Sequence, residues 1–229
     1  MQFRALAALS AVVGIATLVN QAPARADFSL TLTNCNSSFG CASPTGNGIG
    51  TVSVKDNGAN EVQITVTPNG AFNLVKTGLM TFVFSLAQGI GPATVTPVTS
   101  NFAVIIPAGQ EDGMGTFQYG LDWTGGNGGG NGTAGPLVFD VTATGLSAVL
   151  ADFATGTGNS FNGPYYFVAD VGCVSTGSFC NTFSTSSTGL AGALGVPTPG
   201  PVVGAGLPGI VAACAGLLAF ARRRRQRLA

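Results

Sequence analysis

Catalysis that depends on histidine is impossible for this chain, because its 229 residues include no histidine. This excludes Ser-His-Asp and Cys-His catalytic sets as well as histidine-based metal sites. Two carboxyl groups can still hydrolyse a glycosidic bond. Glu61 and Glu111 are the only glutamates, and folding could bring Glu111-Asp112 close to Asp122. Both glutamates lie in polar turns, so we expect solvated loops there and predict a protein without enzymatic activity.

The remaining polar turns offer little for a cofactor. The Asp56–Glu61 turn has some oxygen ligands of the kind that calcium prefers, but it lacks the rest of an EF-hand loop. The Gly125–Gly132 loop has neither the aspartates of a calcium-binding repeat nor the Lys and Ser/Thr of a phosphate-binding loop. We therefore predict no cofactor, with calcium as the one ion to consider. Trp123 is either an exposed platform for a sugar or a packed aromatic, and we favour the second.

The formal net charge of zero conceals an uneven distribution. All nine acidic residues lie between Asp27 and Val196, where Lys55 and Lys76 are the only basic residues, which leaves a net charge of −7. The other seven basic residues lie in the two terminal segments. Nucleic acid would be repelled by such a middle region, so we exclude it as a partner.

The N-terminal segment, residues 1–26, is typical of a secretory signal peptide. Arg4 precedes an apolar stretch, and Ala24 and Ala26 are the small residues that a signal peptidase reads. Cleavage after Ala26 makes Asp27 the first residue of the mature protein. The predicted partners are therefore an export translocon and a signal peptidase.

The C-terminal segment, residues 196–229, has three consecutive parts. A proline-rich motif is followed by the uncharged run 202–221, which is long enough to span a bilayer as a helix. An arginine cluster comes next, and because positive residues stay on the cytoplasmic side, the folded region faces outward from the inner membrane. The proline-rich motif consists of Val196, Pro197, Thr198, Pro199, Gly200 and Pro201, and the cluster consists of Arg222, Arg223, Arg224, Arg225 and Arg227.

This order of motif, membrane run and arginine cluster resembles the PEP-CTERM sorting signal of Gram-negative bacteria. Pro197-Thr198-Pro199 stands where the family has Pro-Glu-Pro. The resemblance implies that an exosortase, a membrane protease, cuts near Pro197–Pro201 and releases or re-attaches the outer portion. It also implies association with exopolysaccharide and biofilm, first at the inner membrane and then at the cell surface or in the medium.

Four cysteines fit an oxidising compartment, where two disulfides are expected. Local pairing joins Cys35 to Cys41 and Cys173 to Cys180, whereas crossed pairings tie the first strand to the last. We favour local pairing, although the spacing leaves both open. Cys214 lies within the apolar run, where we expect it to act as a small apolar residue.

Residues 27–195 alternate between apolar and polar side chains, the period-2 pattern of half-buried strands. Asn57-Gly58 between two such stretches predicts a hairpin, and 147–153 could form one short helix. Eight or nine short strands predict an antiparallel β-sandwich, either jelly roll or Greek key. The predicted core consists of Val52, Val54, Ile64, Val66, Phe82, Phe84, Phe117, Phe139, Val141, Phe167 and Val168.

Together these features predict an exported, non-enzymatic protein of the cell surface or extracellular matrix, sorted by its tail. Three alternatives remain open. A polysaccharide-binding module would line up aromatics, including Trp123, on one face. A secreted glycoside hydrolase would hold two convergent carboxylates in a cleft. An uncleaved type I membrane protein would keep its arginine tail.

Overall fold

A computed structural model describes residues 27–35, 48–128, 131–158, 163–174, 188–195 and 198–199. These residues form β-strands and one short 3-10 helix, Leu150–Asp152. The all-β prediction is therefore confirmed. The strands are β1 Phe28–Cys35, β2 Gly50–Gly58, β3 Glu61–Pro68, β4 Phe72–Leu74, β5 Phe82–Leu86, β6 Thr94–Pro97, β7 Phe102–Ile105, β8 Gly109–Glu111, β9 Gly115–Phe117, β10 Tyr119–Trp123, β11 Leu137–Thr142, β12 Phe153–Ala154, β13 Phe167–Cys173, β14 Thr188–Ala193 and β15 Thr198–Pro199.

The predicted hairpin is formed by β2 and β3, in which Val54 lies opposite Ile64. The turn uses two residues with positive φ, Gly58 at 143° and Asn60 at 63°. The ladder shifts register between Asp56 and Gly58. Glycine and asparagine adopt such φ angles at little cost, which explains why this polar segment turns the chain.

The prediction of a two-sheet sandwich is wrong. One antiparallel ladder runs through ten strands in the order β6-β11-β3-β2-β1-β14-β13-β5-β10-β7 and is nearly closed as a barrel. Its two edge strands, β6 and β7, lie next to each other without pairing. Alternation along a strand shows which face is buried, but it does not show where a ladder breaks, so the pattern could not distinguish one curled sheet from two packed sheets.

The inner core lies within the curled sheet, and all eleven predicted core residues are buried. Phenylalanine rings dominate its centre. The ring of Phe82 stacks on Phe167 with centroids 6.0 Å apart and contacts Phe139 at 5.7 Å. Tyr119 stacks on Phe84 at 5.2 Å. Such rings bury large apolar areas, so this layer contributes much of the hydrophobic stabilisation.

Strand β13 is buried on both faces. Phe167, Ala169 and Val171 belong to the inner core, whereas Val168 packs into a separate outer cluster. Asp170 follows the same alternation and therefore also points outward. The outer cluster consists of Val83, Ala108, Met114, Phe117, Tyr165, Val168 and Leu190.

The β8–β9 hairpin supplies part of this outer cluster through Met114 and Phe117, which are both buried. It forms its own two-stranded sheet and joins the 154–158 segment through Thr116, whose backbone exchanges hydrogen bonds of 2.7 and 3.0 Å with Thr157. The hairpin therefore covers the outer face of β5, β13 and β14. This cover explains why β5 and β13 are continuously buried rather than alternating.

The predicted short helix over 147–153 is a single 3-10 turn. Ser147 donates its backbone N–H and its hydroxyl to Oδ2 of Asp152, at 2.8 and 2.7 Å. Within the described parts of the chain, no helix is long and apolar enough to cross a membrane. The predicted membrane run 202–221 and the signal peptide 1–26 lie outside those parts.

Candidate functional site

Three carboxylates gather on the outer face of the sheet. Asp170 on β13 and Asp122 on β10 lie on either side of Thr81, which immediately precedes β5. The Asp170 N–H donates to the Thr81 carbonyl at 2.9 Å, and the Trp123 N–H donates to the Thr81 hydroxyl oxygen at 2.9 Å. Two strand spacings, about 10 Å, therefore separate the two aspartates along this row.

The 76–80 loop, which leads into β5, covers Asp170 and Asp122 on the outer face of the sheet. Thr77 donates its backbone N–H and its hydroxyl to Oδ2 of Asp170, at 3.0 and 2.5 Å. Lys76 forms an ion pair with Asp122. The β8–β9 hairpin adds the third carboxylate, because Oε1 of Glu111 accepts the Met80 N–H at 3.2 Å.

Burial dominates the electrostatics of this carboxylate cluster. Taken as whole residues, Asp170, Glu111 and Asp122 are 0%, 1% and 5% exposed. Desolvation raises the pKa of Glu111 to about 8, a change opposed by the Met80 hydrogen bond and increased by the charges of Asp170 and Asp122. Desolvation likewise raises the pKa of Asp170 to about 7, against the hydrogen bonds from Thr77.

The expectation of a solvated loop is therefore wrong for Glu111, and Asp122, which folding was expected to bring close to it, is buried as well. The carboxylates do converge, as the hydrolase alternative requires, but they are enclosed and do not line a cleft. Asp170 was missed altogether, and its only signal was an acidic residue within the apolar strand Phe167–Cys173. An ionisable residue in such a strand is rare unless it is paired or functional.

Trp123 is not an open platform. Its side chain is half-buried and its indole N–H donates to the Asn131 carbonyl at 2.7 Å. The ring lies 5.2 Å from that of Phe102. A Cβ added at Gly125 would lie 2.2 Å from the indole, so the glycine backbone covers part of the ring. The indole therefore packs at the rim of the sheet, as the favoured interpretation held.

The Asp56–Glu61 turn uses its oxygen atoms internally. Oδ1 of Asp56 accepts the Ala148 N–H at 2.8 Å. Asn57 Nδ2 donates to Oε1 of Glu61 at 2.6 Å. Across the described residues, no group of three Asp, Glu, Cys or His side chains is placed to hold a metal ion.

An uncharged groove of about 530 Å³ lies beside the edge strands. Its walls include Ile106, which is 56% exposed, and Pro107, together with the polar side chains of Gln118 and Tyr119. The Tyr119 hydroxyl accepts the Ala93 N–H at 3.2 Å, which fixes the ring at one wall. With no titratable carboxylate among its lining residues, this groove suits binding better than acid–base chemistry.

The face of β1, β2 and β3 that points away from the inner core carries hydroxyl side chains in register. Thr31 lies opposite Thr51, which lies opposite Thr67 on β3, and all three are exposed. A second row joins Ser29, Ser53 and Thr65. We name the face formed by these two rows the hydroxyl face. The sequence signal for this face is a repeated Thr-x-Thr or Thr-x-Ser pattern, which occurs in Thr31-Leu32-Thr33, Thr51-Val52-Ser53 and Thr65-Val66-Thr67.

The compact unit that contains the sheet runs from Ala26 to Gly200. Its first strand begins at Phe28, and β15 pairs with it so that Phe28 lies opposite Pro199. Both boundaries coincide with the predicted processing sites. Of the residues in those sites, Asp27, Thr198 and Pro199 are described. Outside the described residues lie Ala24, Ala26, Val196, Pro197, Gly200, Pro201 and the arginine cluster.

The strand register excludes a bond between Cys35 and Cys173. Cys35 pairs with Ala191, which in turn pairs with Ala169 of β13. Cys35 is therefore two strands away from β13, about 10 Å, and Cys173 lies a further four residues along β13, about 13 Å. Disulfides need α-carbons within about 7 Å. Because Cys41 and Cys180 lie outside the described residues, their pairing stays a prediction.

No protein-family model, curated protein or solved structure matches this chain.

Proposed function

We propose that this chain is an exported, non-enzymatic protein of the cell surface or extracellular matrix, processed at both ends. The observation that carries the proposal is the agreement between the compact unit, Ala26–Gly200, and the two predicted processing sites. Removal of 1–26 and of the tail after Pro199 leaves intact every strand that the structure describes. An exosortase-type protease acting near Pro197–Pro201 is the processing partner that the tail implies.

Two observations support a role without catalysis. The convergent carboxylates are shielded from solvent by the 76–80 loop and the β8–β9 hairpin. The open groove beside the edge strands carries amide, phenol and aliphatic groups instead of an acid and a base. A hydrolase needs both groups within reach of its substrate.

Intact mass of the protein recovered from membranes and from the medium of its host tests the proposal. The expected species begins at Asp27, ends between Pro197 and Pro201, and is two hydrogens lighter for each disulfide. A species that still carries Arg222–Ala229 and stays in membranes would contradict exosortase processing and leave a plain type I membrane protein. A species that retains residues 1–26 would contradict export by a cleaved signal peptide.

A polysaccharide-binding role is the second candidate, and the hydroxyl face favours it. Its two in-register rows contain hydrogen-bonding groups without charge, which suits a neutral polymer rich in hydroxyl groups. Retardation of the full-length protein in gels that contain a soluble neutral glucan tests this role. We expect retardation that Thr51→Val combined with Thr67→Val reduces. Equal mobility with and without the glucan would count against neutral-polysaccharide binding.

A control variant separates the hydroxyl face from the groove. Ile106→Ser alters the groove wall and leaves the hydroxyl face unchanged. If Ile106→Ser abolishes retardation while the double threonine variant keeps it, the groove binds the polymer and the hydroxyl face does not.

A further inference from the structure

The β8–β9 hairpin is seated on the sheet by an apolar contact. Met114, which lies in the turn between β8 and β9, is fully buried. Together with Tyr165 it packs over Gly192 of β14. A Cβ at Gly192 would lie 2.4 Å from Cδ1 of Tyr165 and 2.8 Å from Cε of Met114, so glycine makes this seat possible. The hairpin is therefore a fitted cover with a defined closed position.

Glu111 adds a polar contact to the same cover. Its Oε1 accepts the Met80 N–H, but among the described residues Oε2 makes no well-formed hydrogen bond. Oδ1 of Asp170 is likewise buried and, among the described residues, makes no well-formed hydrogen bond. A buried carboxylate oxygen without a donor is costly when the group is ionised.

Cations are scarce around this pair. Lys76, from the 76–80 loop, is already paired with Asp122 on β10. Two other titratable residues lie near the pair, and neither is a cation. Asp112, next to Glu111 in the hairpin, is exposed. Tyr165, just before β13, is fully buried. No positive charge among the described residues therefore compensates a second or third negative charge in the cluster.

We propose that Glu111 and Asp170 form a closed proton-binding site that latches the β8–β9 hairpin. With both carboxyl groups protonated, the hairpin stays on the sheet. When they lose their protons, repulsion among Glu111, Asp170 and Asp122 releases the hairpin and uncovers the outer cluster. This property goes beyond the proposed function, which does not require it.

The electrostatics agree with the geometry. Burial raises the pKa of Glu111 to about 8 and that of Asp170 to about 7, and the charge of Asp122 raises both. The latch therefore closes in acid and opens as the pH rises through these values.

The two glutamates of the chain allow a direct test. Full-length protein labelled with ¹³C at the glutamate carboxyl carbon gives two resonances, from Glu61 and Glu111, and Glu61→Gln assigns them. We expect the Glu111 resonance to titrate near 8 in the folded protein. Titration of this resonance below about pH 5, the usual range of a glutamate, would overturn the proposal.

Hydrogen exchange tests the release itself. Protection of the 108–117 amides, taken relative to the β2–β3 hairpin, should fall by about tenfold for each pH unit between about pH 7 and pH 8, where Glu111 alone still holds a proton, and more steeply between about pH 6 and pH 7, where Asp170 holds one as well. Glu111→Gln should remove most of this dependence above about pH 7, whereas Asp112→Asn, the matched control on the same hairpin, should retain it. The latch would be disproved if amide protection in the two hairpins of the wild type changed equally with pH. It would also be disproved if Glu111→Gln kept the pH dependence of the wild type. If Glu111→Gln does not fold, the carboxyl titration decides alone.

Discussion

Thr77 donates two hydrogen bonds to a single oxygen of Asp170, through its backbone N–H at 3.0 Å and its hydroxyl at 2.5 Å. Both bonds strengthen when the acceptor is ionised. We therefore expect Thr77→Val to destabilise the protein by about 1–2 kcal/mol at about pH 9, where Asp170 is charged, and by less at about pH 5. Denaturant unfolding at the two pH values measures this difference. Thr51→Val, at an exposed position of β2, should change stability by less than about 0.5 kcal/mol at either pH. An equal effect of Thr77→Val at both values would show that the hydroxyl does not respond to the charge of Asp170.

Stability should fall as the pH rises from mildly acidic to mildly basic. The folded protein holds a proton on Glu111 between pH 4.5 and about 8, where the unfolded chain has released it. Because the folded state binds the extra proton, its stabilisation is complete below that range and is lost through it, at about 1.4 kcal/mol per pH unit for one proton. Asp170 acts in the same direction between pH 3.8 and about 7.

Glu111→Gln should flatten the upper part of that profile and leave the variant more stable than wild type at about pH 9. The free energy of unfolding at several pH values measures the slope. Asp112→Asn serves as the control, because its side chain is exposed on the same hairpin. A wild-type slope in Glu111→Gln would mean that other groups bind the proton.

Gly192→Ala tests the seat of the hairpin. The new methyl group meets Tyr165 and Met114 at distances below van der Waals contact, so we expect a loss of about 1–3 kcal/mol. Gly70→Ala is the matched control, because nothing lies within 4 Å of its added Cβ and its φ is not positive. The two variants are compared by thermal unfolding, and similar melting temperatures would disprove tight packing at Gly192.

Phe82→Ala tests the inner core. Its ring contacts those of Phe84, Phe139 and Phe167, so its removal leaves a cavity that costs about 3–5 kcal/mol. Val98→Ala, at a position 57% exposed, should change stability by less than about 0.5 kcal/mol. Chemical denaturation distinguishes the two, and a small loss in Phe82→Ala would mean that the core collapses around the gap.

The sequence predicted which face of each strand is buried more reliably than how the strands pair. Val54 and Ile64 alternate with polar neighbours, and a short turn segment joins their strands. The pairing of these two strands can therefore be predicted from the alternation and from their closeness in the sequence. The pairing of β1 with β14, as between Cys35 and Ala191, joins residues far apart and depends on the whole fold. The period-2 pattern carries no information of that kind.

The carboxylate cluster was out of reach for a related reason. Glu111 lies in a polar segment of the sequence, and such segments are usually solvated. Its burial follows from Met114 and Phe117, which draw the hairpin onto the sheet. Asp170 lies in an apolar strand, which hints that it is special, but only the strand order places Asp122 and Glu111 beside it.

The pairing of Phe28 with Pro199 brings the two ends of the compact unit together in mid-sheet, since β1 lies between β2 and β14. The order of strands in space therefore does not depend on where the chain starts. A short linker from Pro199 to Asp27, with new termini opened in the glycine-rich 124–128 loop, yields a circular permutant that keeps every strand neighbour. In such a permutant the chain ends, and with them any segment joined to them, move from the middle of the sheet to the 124–128 loop.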